Sequence, residues 1–280
     1  MAVSAEHQDH PRIGLIVRSD RLQRPGHLVP ELVRNLEARR ARVDVVDPDL
    51  QPLRLSDLHP AADLYVLTSS STAALSYAGA LEGCGAALLT SYATAAACRD
   101  KLVQTALLAR AGVPVPASWL TQNPEMLTSE LEAGLLVCKD PRGSRGEGVH
   151  VVRRREELCG LPTGTPWLVM RYHPPDGPDL KMYRIGEQVH GVARIFPART
   201  MRQKVGRPVT VTQDLRDLVM RCSDAFDTTV CGVDVIRSCG RAWVVDMSSF
   251  PGFKGVPEAP ARIGEVILQR ARALHLERAS

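Results

Sequence analysis

Aromatic side chains are scarce in this chain: 3 Trp, 5 Tyr and 4 Phe account for 4% of its 280 residues. Hydrophobic residues still make up 44%, so a substantial core must be assembled from Ala, Val and Leu. No CxxC occurs, and the seven cysteines (Cys84, Cys98, Cys138, Cys159, Cys222, Cys231 and Cys239) are scattered and odd in number. That argues against a disulfide framework and against a zinc site. Most sit in apolar stretches and read as small core residues, which fits a reducing, cytoplasmic setting. No GxGxxG follows the first strand and no GK[ST] closes a glycine loop, so neither a dinucleotide fold nor a P-loop is indicated. There is no lysine-rich tract, and the formal net charge of +4 is mild, so nucleic acid is not an expected partner. No segment is long and apolar enough to span a bilayer. The first residues, MAVSAEHQDHPR, carry acids and histidines ahead of any apolar run. They read as a disordered lead over residues 1–11, not as a secretory signal.

What the chain does have is an ordered succession of elements. Apolar runs at residues 13–17, 43–46, 64–67 and 86–89 read as strands. Helical patterns cover residues 27–40, with Leu28, Leu32, Val33 and Leu36 in register, and residues 72–81. Strands alternating with helices imply a parallel sheet covered by helices. Arg99-Asp100-Lys101 then opens a helix with Leu102, Val103, Ala106 and Leu107 facing inward, ended by Gly112 and Pro114. Beyond it the pattern becomes strand-rich, at residues 135–139, 149–152, 167–172, 180–185 and 188–194. A helix over residues 214–226 places Leu215, Leu218, Val219 and Cys222 inward, and a last helix covers residues 262–274. Turn residues cluster at 92–99 and 160–165, the candidate boundaries. The second half is therefore a mixed α+β module.

The most informative stretch is GVDVIRSCGRAWVVDMSSFPGFKG, residues 232–255. Two apolar strands flank a turn at Cys239-Gly240-Arg241, which sets Asp234 directly across from Asp246 on one face. Ser248 lies further along that face, since strand side chains alternate. Like charges opposed on a sheet are destabilising, and burying them among Val, Ile and Trp is costly. A hard divalent cation such as Mg²⁺ between them resolves both problems. Two solvated acids on the wet side of a hairpin is the equally open alternative at this point.

Three other segments carry chemistry. LLVCKDPRGSRGEGVHVV joins two strands through a loop with Gly143, Ser144, Gly146 and Gly148, flanked by Arg142 and Arg145. Successive N–H groups on such a loop can point at phosphate oxygens, although the loop alone fits an ordinary flexible hairpin as well. Lys139 ends an apolar strand and Lys101 starts a helix, where a cation gains nothing from the helix dipole. Each either snorkels to the surface or reaches a buried anion. In DLKMYRIGEQVHGVARI, Asp179 and Lys181 share one strand face and could bracket a ribose or phosphate. Arg194 follows, then a basic run with Arg199, Arg202 and Lys204 suited to bidentate oxyanion contact.

These segments, in this order, resemble the ATP-grasp superfamily, and most closely its RimK-like carboxylate–amine ligases. CRDKLVQTALLARAGVPVPAS is similar to the family's leading helix, and LLVCKDPRGSRGEGVHVV to its second lysine and glycine-rich flap. LVMRYHPPDGPDLKMYRIGEQVHGVAR is similar to its nucleotide hinge, and the GVDVI…VVDMSSFPGFKGV hairpin to its metal-binding end. The resemblance implies an α/β domain with a parallel sheet over residues 12–93, followed by an α+β ATP-grasp fold in two parts. These are a small subdomain with the flap over residues 94–165 and a C-terminal subdomain with the metal site over residues 166–280. It implies ATP and Mg²⁺ (or Mn²⁺) as cofactors. Lys101 and Lys139 would contact phosphates under a loop formed by Gly143, Ser144, Gly146 and Gly148. Main chain of Met170, Arg171 and Tyr172 would hold adenine, Asp179 and Lys181 would lie by the ribose, and Asp234, Asp246 and Ser248 would hold the metal. Arg194 and Arg202 would steady the transferring phosphoryl group. The reaction implied joins a small-molecule or peptide carboxylate to an amine through an acylphosphate, with no membrane partner and with a homo-oligomer allowed.

The chain departs from that pattern in three places. Ser248 stands where an Asn is usual, Arg171 where an acid is usual at the hinge, and the paired arginines are absent, since Ile195 follows Arg194. Two other readings therefore stay open. The tail VVDMSSFPGFKG also resembles inositol-phosphate kinases of the same superfamily, and Arg18, Arg21 and Arg24 near the first strand suit a polyanion. A non-catalytic ATP-binding module is the third.

Overall fold

The computed structural model describes residues 10–24, 26–143, 148–195 and 205–279. The chain begins with three parallel strands, β1 (Arg12–Ile16), β2 (Arg42–Val46) and β3 (Leu64–Leu67), in the order β2-β1-β3. The fourth expected strand is reduced to one parallel bridge from Tyr65 to Leu88. Helix α1 (Leu28–Ala38) buries Leu28, Val29, Leu32 and Leu36 against this sheet, and His27 caps it by accepting the Val29 N–H. Helix α2 (Thr72–Gly83) is capped by Ser71, whose hydroxyl accepts from Ala74, a standard N-cap arrangement.

Where turn residues were read at 92–99, the chain forms a helix, α3 (Tyr92–Arg99), with Ser91 as its cap. It breaks at Asp100, where the backbone is extended and the side-chain carboxylate caps α4 (Lys101–Arg110) by accepting the Leu102 N–H. The inward face of α4 also differs from expectation. Gln104 and Leu108 are buried, whereas Val103 and Ala106 are exposed.

A four-stranded antiparallel sheet follows, made of β4 (Ser118–Thr121), β5 (Leu136–Lys139), β6 (Val149–Val152) and β7 (Trp167–Arg171) in the order β4-β7-β5-β6. Helices α5 (Thr128–Glu132) and α6 (Arg155–Cys159) connect its strands. Its core gathers Leu136, Cys138, Val152, Leu158 and Val169.

The third sheet is antiparallel, with five strands ordered β10-β9-β8-β11-β12: β8 (Asp179–Ile185), β9 (Gln188–Arg194), β10 (Arg207–Val209), β11 (Val230–Ser238) and β12 (Arg241–Ser248). One face carries Leu180, Met182, Val233, Val235, Val244 and Met247 into a core with α7 (Gln213–Asp224), whose Leu215, Leu218, Val219 and Cys222 point inward as their spacing predicts. At one end of the other face, Tyr183, Ile185, Val192 and Val230 join the core beneath the parallel sheet and helix α8 (Ala259–Ala279). Towards the other end that face turns polar, with Asp179, Lys181, Asp234 and Asp246. Four cysteines (Cys98, Cys138, Cys222 and Cys231) are buried as expected, whereas Cys84, Cys159 and Cys239 are exposed. No helix among the described residues is long and apolar enough to cross a membrane.

Candidate active site

The β11–β12 hairpin pairs Asp234 directly with Asp246. The route to that pairing differs from the expected one. The turn has two residues, Cys239 and Gly240, because Ser238 pairs with Arg241. Both have positive φ, 52° and 73°, as a tight primed hairpin turn requires. The Asp176 carboxylate accepts both of their N–H groups, at 3.1 and 3.0 Å, and so holds the less permissive Cys239 in that conformation. This shorter turn shifts the register by one residue, and a bulge between Val244 and Asp246 restores it. The bulged Val245 turns its carbonyl outward, where the Lys139 ammonium donates to it at 3.2 Å.

On the other side of β11, Lys181 of β8 is the cross-strand partner of Asp234, and its Nζ lies 2.8 Å from Asp234 Oδ1. Val192, Lys181, Asp234 and Asp246 thus form one row across four strands. The ribose or phosphate role expected for Lys181 is therefore qualified: its head group already neutralises one acid of the pair. Gly232 makes room for this arrangement, since a Cβ there would stand 2.8 Å from Pro251 Cγ and 3.2 Å from Lys181 Cε. Ser248 is the cross-strand neighbour of Gly232.

Charge in the row is unevenly compensated. Burial, and next the Asp234 charge, push the Asp246 carboxyl above its ordinary pKa, against the pull of Lys181, Lys101 and Lys139. Burial and then Asp234 do the same to Asp179. Lys139 is driven down by its own burial and by Lys101, although Asp246 and Asp234 oppose this. Titratable groups pushed apart in this way cluster at functional sites. Among the described residues, no three His, Cys, Asp or Glu side chains converge as a metal cage. Two carboxylates with a hydroxyl nearby suit Mg²⁺, a cation that completes its shell with water and substrate phosphates. Asp246 directly opposes Asp234, and Ser248 follows on the same face, so the donor set fits the ion.

The glycine loop is tethered to the start of α4. Lys101 donates its main-chain N–H to Pro141 O at 3.0 Å and its ammonium to Gly143 O. Arg99 reaches Arg142 O, and Arg142 lies 3.6 Å from the Asp100 carboxylate. Gly148 has φ +69°, and a Cβ there would press on Asp140 Cβ at 3.3 Å. Ser144, Gly146 and Arg202 lie outside the described residues, as do Arg145, Arg199 and Lys204.

At the hinge, Met170 is buried, and the N–H groups of Arg171 and Tyr172 already donate to Ala117 O and Leu135 O. Any base contact by those two would run through their carbonyls. The Arg171 guanidinium is committed elsewhere. It donates to Glu130 O and Gly134 O, pairs with the Glu130 carboxylate at 2.8 Å and stacks on Trp119. It replaces the expected hinge acid in sequence, but its side chain anchors α5.

Asp179 pairs across the sheet with Arg194, yet the Arg194 guanidinium turns to the Tyr183 hydroxyl and to Lys254 O at 3.1 Å. Its Nε is buried with no hydrogen-bond partner among the described residues, a donor left over for an oxyanion. The sequence reading missed Gln104. This side chain, 2% exposed, bonds both the N–H and the C=O of Met247, the residue between Asp246 and Ser248. The available signal was a carboxamide one helical turn after Lys101.

A family model described as the RimK-like ATP-grasp domain matches residues 98–264. The chain is 25% identical over 243 residues to the glutamate–LysW ligase ArgX of Sulfurisphaera tokodaii, covering 80% of this chain and 86% of that one. It is 28% identical over 196 residues to a probable alpha-L-glutamate ligase of Thioalkalivibrio sulfidiphilus, covering 62% of this chain and 64% of the relative. A RimK domain ATP-grasp protein from Sphaerobacter thermophilus superposes with a TM-score of 0.72 at 18% identity, over 92% of this chain and 99% of the other. D-cycloserine synthetase DcsG gives 0.73 at 15%, over 93% and 99%, and the ATP-grasp ligase PsnB with minimal precursor, Mg and ADP gives 0.72 at 18%, over 92% and 97%. At such identities the structural likeness speaks for the fold alone.

Proposed function

This chain belongs to the RimK-like ATP-grasp family, and from that premise we propose which of its residues carry out the reaction. It is a carbon–nitrogen ligase that uses ATP to join a carboxylate to an amine. The carboxylate attacks the γ-phosphorus and ADP leaves. The amine then attacks the acylphosphate carbon, phosphate leaves, and the amine proton passes to solvent. No protein nucleophile is required, so positioning and charge neutralisation are the protein's task. The relatives reported above are ligases, which favours this reading over the kinase one.

In the proposed arrangement Lys101 and Lys139 face the phosphates, and the loop at residues 143–148 covers them. Asp179 reaches the ribose, and carbonyls at Met170, Arg171 and Tyr172 meet the base. Asp234 and Asp246 hold Mg²⁺ with help from the Ser248 hydroxyl, and Mn²⁺ suits the same oxygens. When bound, the cation supplies charge neutralisation between the carboxylates and the phosphate oxygens. Lys181 keeps Asp234 ionised and in place, and the spare Arg194 Nε donor faces the transferring group. The single observation behind this arrangement is the directly opposed pair Asp234 and Asp246, with Lys181 bonded to Asp234 and Lys101 and Lys139 acting on Asp246.

For the carboxylate we propose an acidic amino acid, glutamate first. The names of the two curated relatives give glutamate as one of the joined substrates. The loop after β1 adds Arg21 and Arg24 around His27, with Lys254 beside them. That cationic surrounding suits a substrate with a second carboxylate. The test is incubation with Mg-ATP, glutamate and hydroxylamine, with other amino acids and inositol phosphates as parallel substrates. Hydroxamate with stoichiometric ADP is expected. A phosphorylated polyol without hydroxamate would establish the kinase, and tight ATP binding without turnover would leave only a binding module.

A further inference from the structure

β12 is the edge strand of its sheet, so every second residue directs a main-chain N–H and C=O away from β11. Such groups need partners when buried, and an open edge invites mispairing. Here the partners come from three places. Val244 donates to Pro114 O at 2.9 Å, and Val245 O accepts from Lys139. Met247 is served by one side chain: Gln104 Oε1 accepts its N–H at 2.9 Å and Gln104 Nε2 donates to its carbonyl at 2.8 Å. The second Nε2 hydrogen goes to Cys98 O at 2.9 Å. A primary carboxamide offers the acceptor and donors of a peptide group, so Gln104 acts as one residue of a missing neighbouring strand.

The Met247 N–H has a second acceptor, Asp246 Oδ1, at 3.0 Å. Gln104 and the carboxylate of the preceding residue therefore share one donor. We propose that Gln104 is a positioning residue for cation binding: it fixes the main chain from Asp246 to Ser248 and takes up the Met247 N–H, so that Asp246 Oδ1 is free to turn to a divalent cation. This rests on the assignment of Asp246 to the metal. Gln104 also seats α4 one turn after Lys101, so a single clasp sets the phosphate-side lysine and the metal-side acid relative to each other. Groups that orient a metal ligand in this way typically alter affinity about 10–100-fold when replaced.

The experiment compares the full-length protein with Gln104→Met and Gln104→Glu. It reads amide hydrogen exchange at Met247, the Mg²⁺ concentration that half-saturates thermal stabilisation by ADP, and the Mg²⁺ dependence of turnover. Gln104→Met should speed Met247 exchange at least about tenfold and raise the half-saturating Mg²⁺ about tenfold or more, a larger change than that in kcat. Gln104→Glu keeps an acceptor for the Met247 N–H in either protonation state while losing donated bonds to the Cys98 and Met247 carbonyls, so its exchange and its half-saturating Mg²⁺ should both rise less than in Gln104→Met. Faster exchange with unchanged Mg²⁺ dependence would reduce Gln104 to a structural clasp and overturn the proposal, as would unchanged exchange. If Gln104→Met does not fold, Gln104→Glu decides alone: altered Met247 exchange with unchanged Mg²⁺ dependence would overturn the proposal. Asp246→Asn in the same assay separates the two claims: Mg²⁺ dependence unaltered there would fail the metal assignment, whatever Gln104 does.

Discussion

Replacing Asp246 by Asn should reverse the order of stability between variant and wild type according to whether Mg-ADP is present. Without ligand, Asp246 faces Asp234 directly across the hairpin, and its carboxyl sits above its ordinary pKa because of burial and then of Asp234. A group whose pKa is higher folded than unfolded contributes stability at pH below the unfolded value. It loses that contribution as pH rises through the folded value. Ionising this carboxyl is thus a net burden on the ligand-free fold. Removing one charge of a directly opposed pair should stabilise the apoprotein by about 1 kcal/mol, and the gain should fade as the buffer is taken into the acid range. With Mg-ADP at 100 times its dissociation constant, the wild type gains about 2.7 kcal/mol, whereas a variant binding 100-fold more weakly gains about 0.4 kcal/mol. The wild type should then be the more stable protein by roughly 1 kcal/mol. Chemical denaturation at pH 7.5, with EDTA and with saturating Mg-ADP, measures both differences. A variant less stable than wild type in EDTA would refute the electrostatic reasoning. Equal stabilisation of both proteins by Mg-ADP would remove Asp246 from the metal site.

Lys139→Met keeps the buried stem and deletes the ammonium bonded to Val245 O. It should lower kcat/KM for ATP at least about 100-fold without loss of stability at neutral pH, because burial already disfavours the Lys139 charge; circular dichroism melts beside steady-state kinetics check this. Arg171→Ala removes the bonds to Glu130 O, Gly134 O and the Glu130 carboxylate. It should cost about 2–3 kcal/mol in denaturant titrations with the KM for ATP changed less than about threefold, since its side chain faces α5; a large KM effect would place the guanidinium at the nucleotide. Ser248→Asn restores an amide oxygen at a proposed metal position and should keep or raise Mg²⁺-dependent hydroxamate formation, whereas a collapse of activity would give the serine another role.

The parts of this fold that were legible in the sequence are those whose signal is local. The parallel strands, α1, α7 and the pairing of β8 with β9 follow from apolar periodicity and short connections. The Ala-rich segment Tyr92–Arg99 has no polar face to contrast with an apolar one, so its helix passed as a boundary. The strand Arg207–Val209 is three residues long, contains Pro208 and lies at a sheet edge, where a missing N–H does no harm. The inward face of α4 was misjudged because its buried positions are Gln104 and Leu108, and a pattern sought in apolar residues turns away from a buried carboxamide. Lys181 against Asp234 could not be counted from any turn, since β8 and β11 meet across a long separation in sequence.

The Asp234–Asp246 pair shows the limit more sharply. A three-residue turn with regular pairing and a two-residue turn with one bulged residue give the same opposed acids. The alternation of side chains cannot distinguish them, because Val244 and Val245 are both apolar. The difference lies in the main chain, and it has consequences for function. Regular pairing would have left the Val245 carbonyl in the ladder; the bulge delivers it to Lys139. With Pro114 on the Val244 N–H, Lys139 on the Val245 carbonyl and Gln104 on both groups of Met247, the outer edge of β12 takes its bonds from α4, the segment after it and β5. The main chain at Val244, Val245 and Met247 is thus bonded while Asp246 stays opposed to Asp234, which is the division expected where stability is set aside locally for activity. A rigid strand can hold two carboxylates at a separation they would not choose, and it is this imbalance that Mg²⁺ and a triphosphate would relieve.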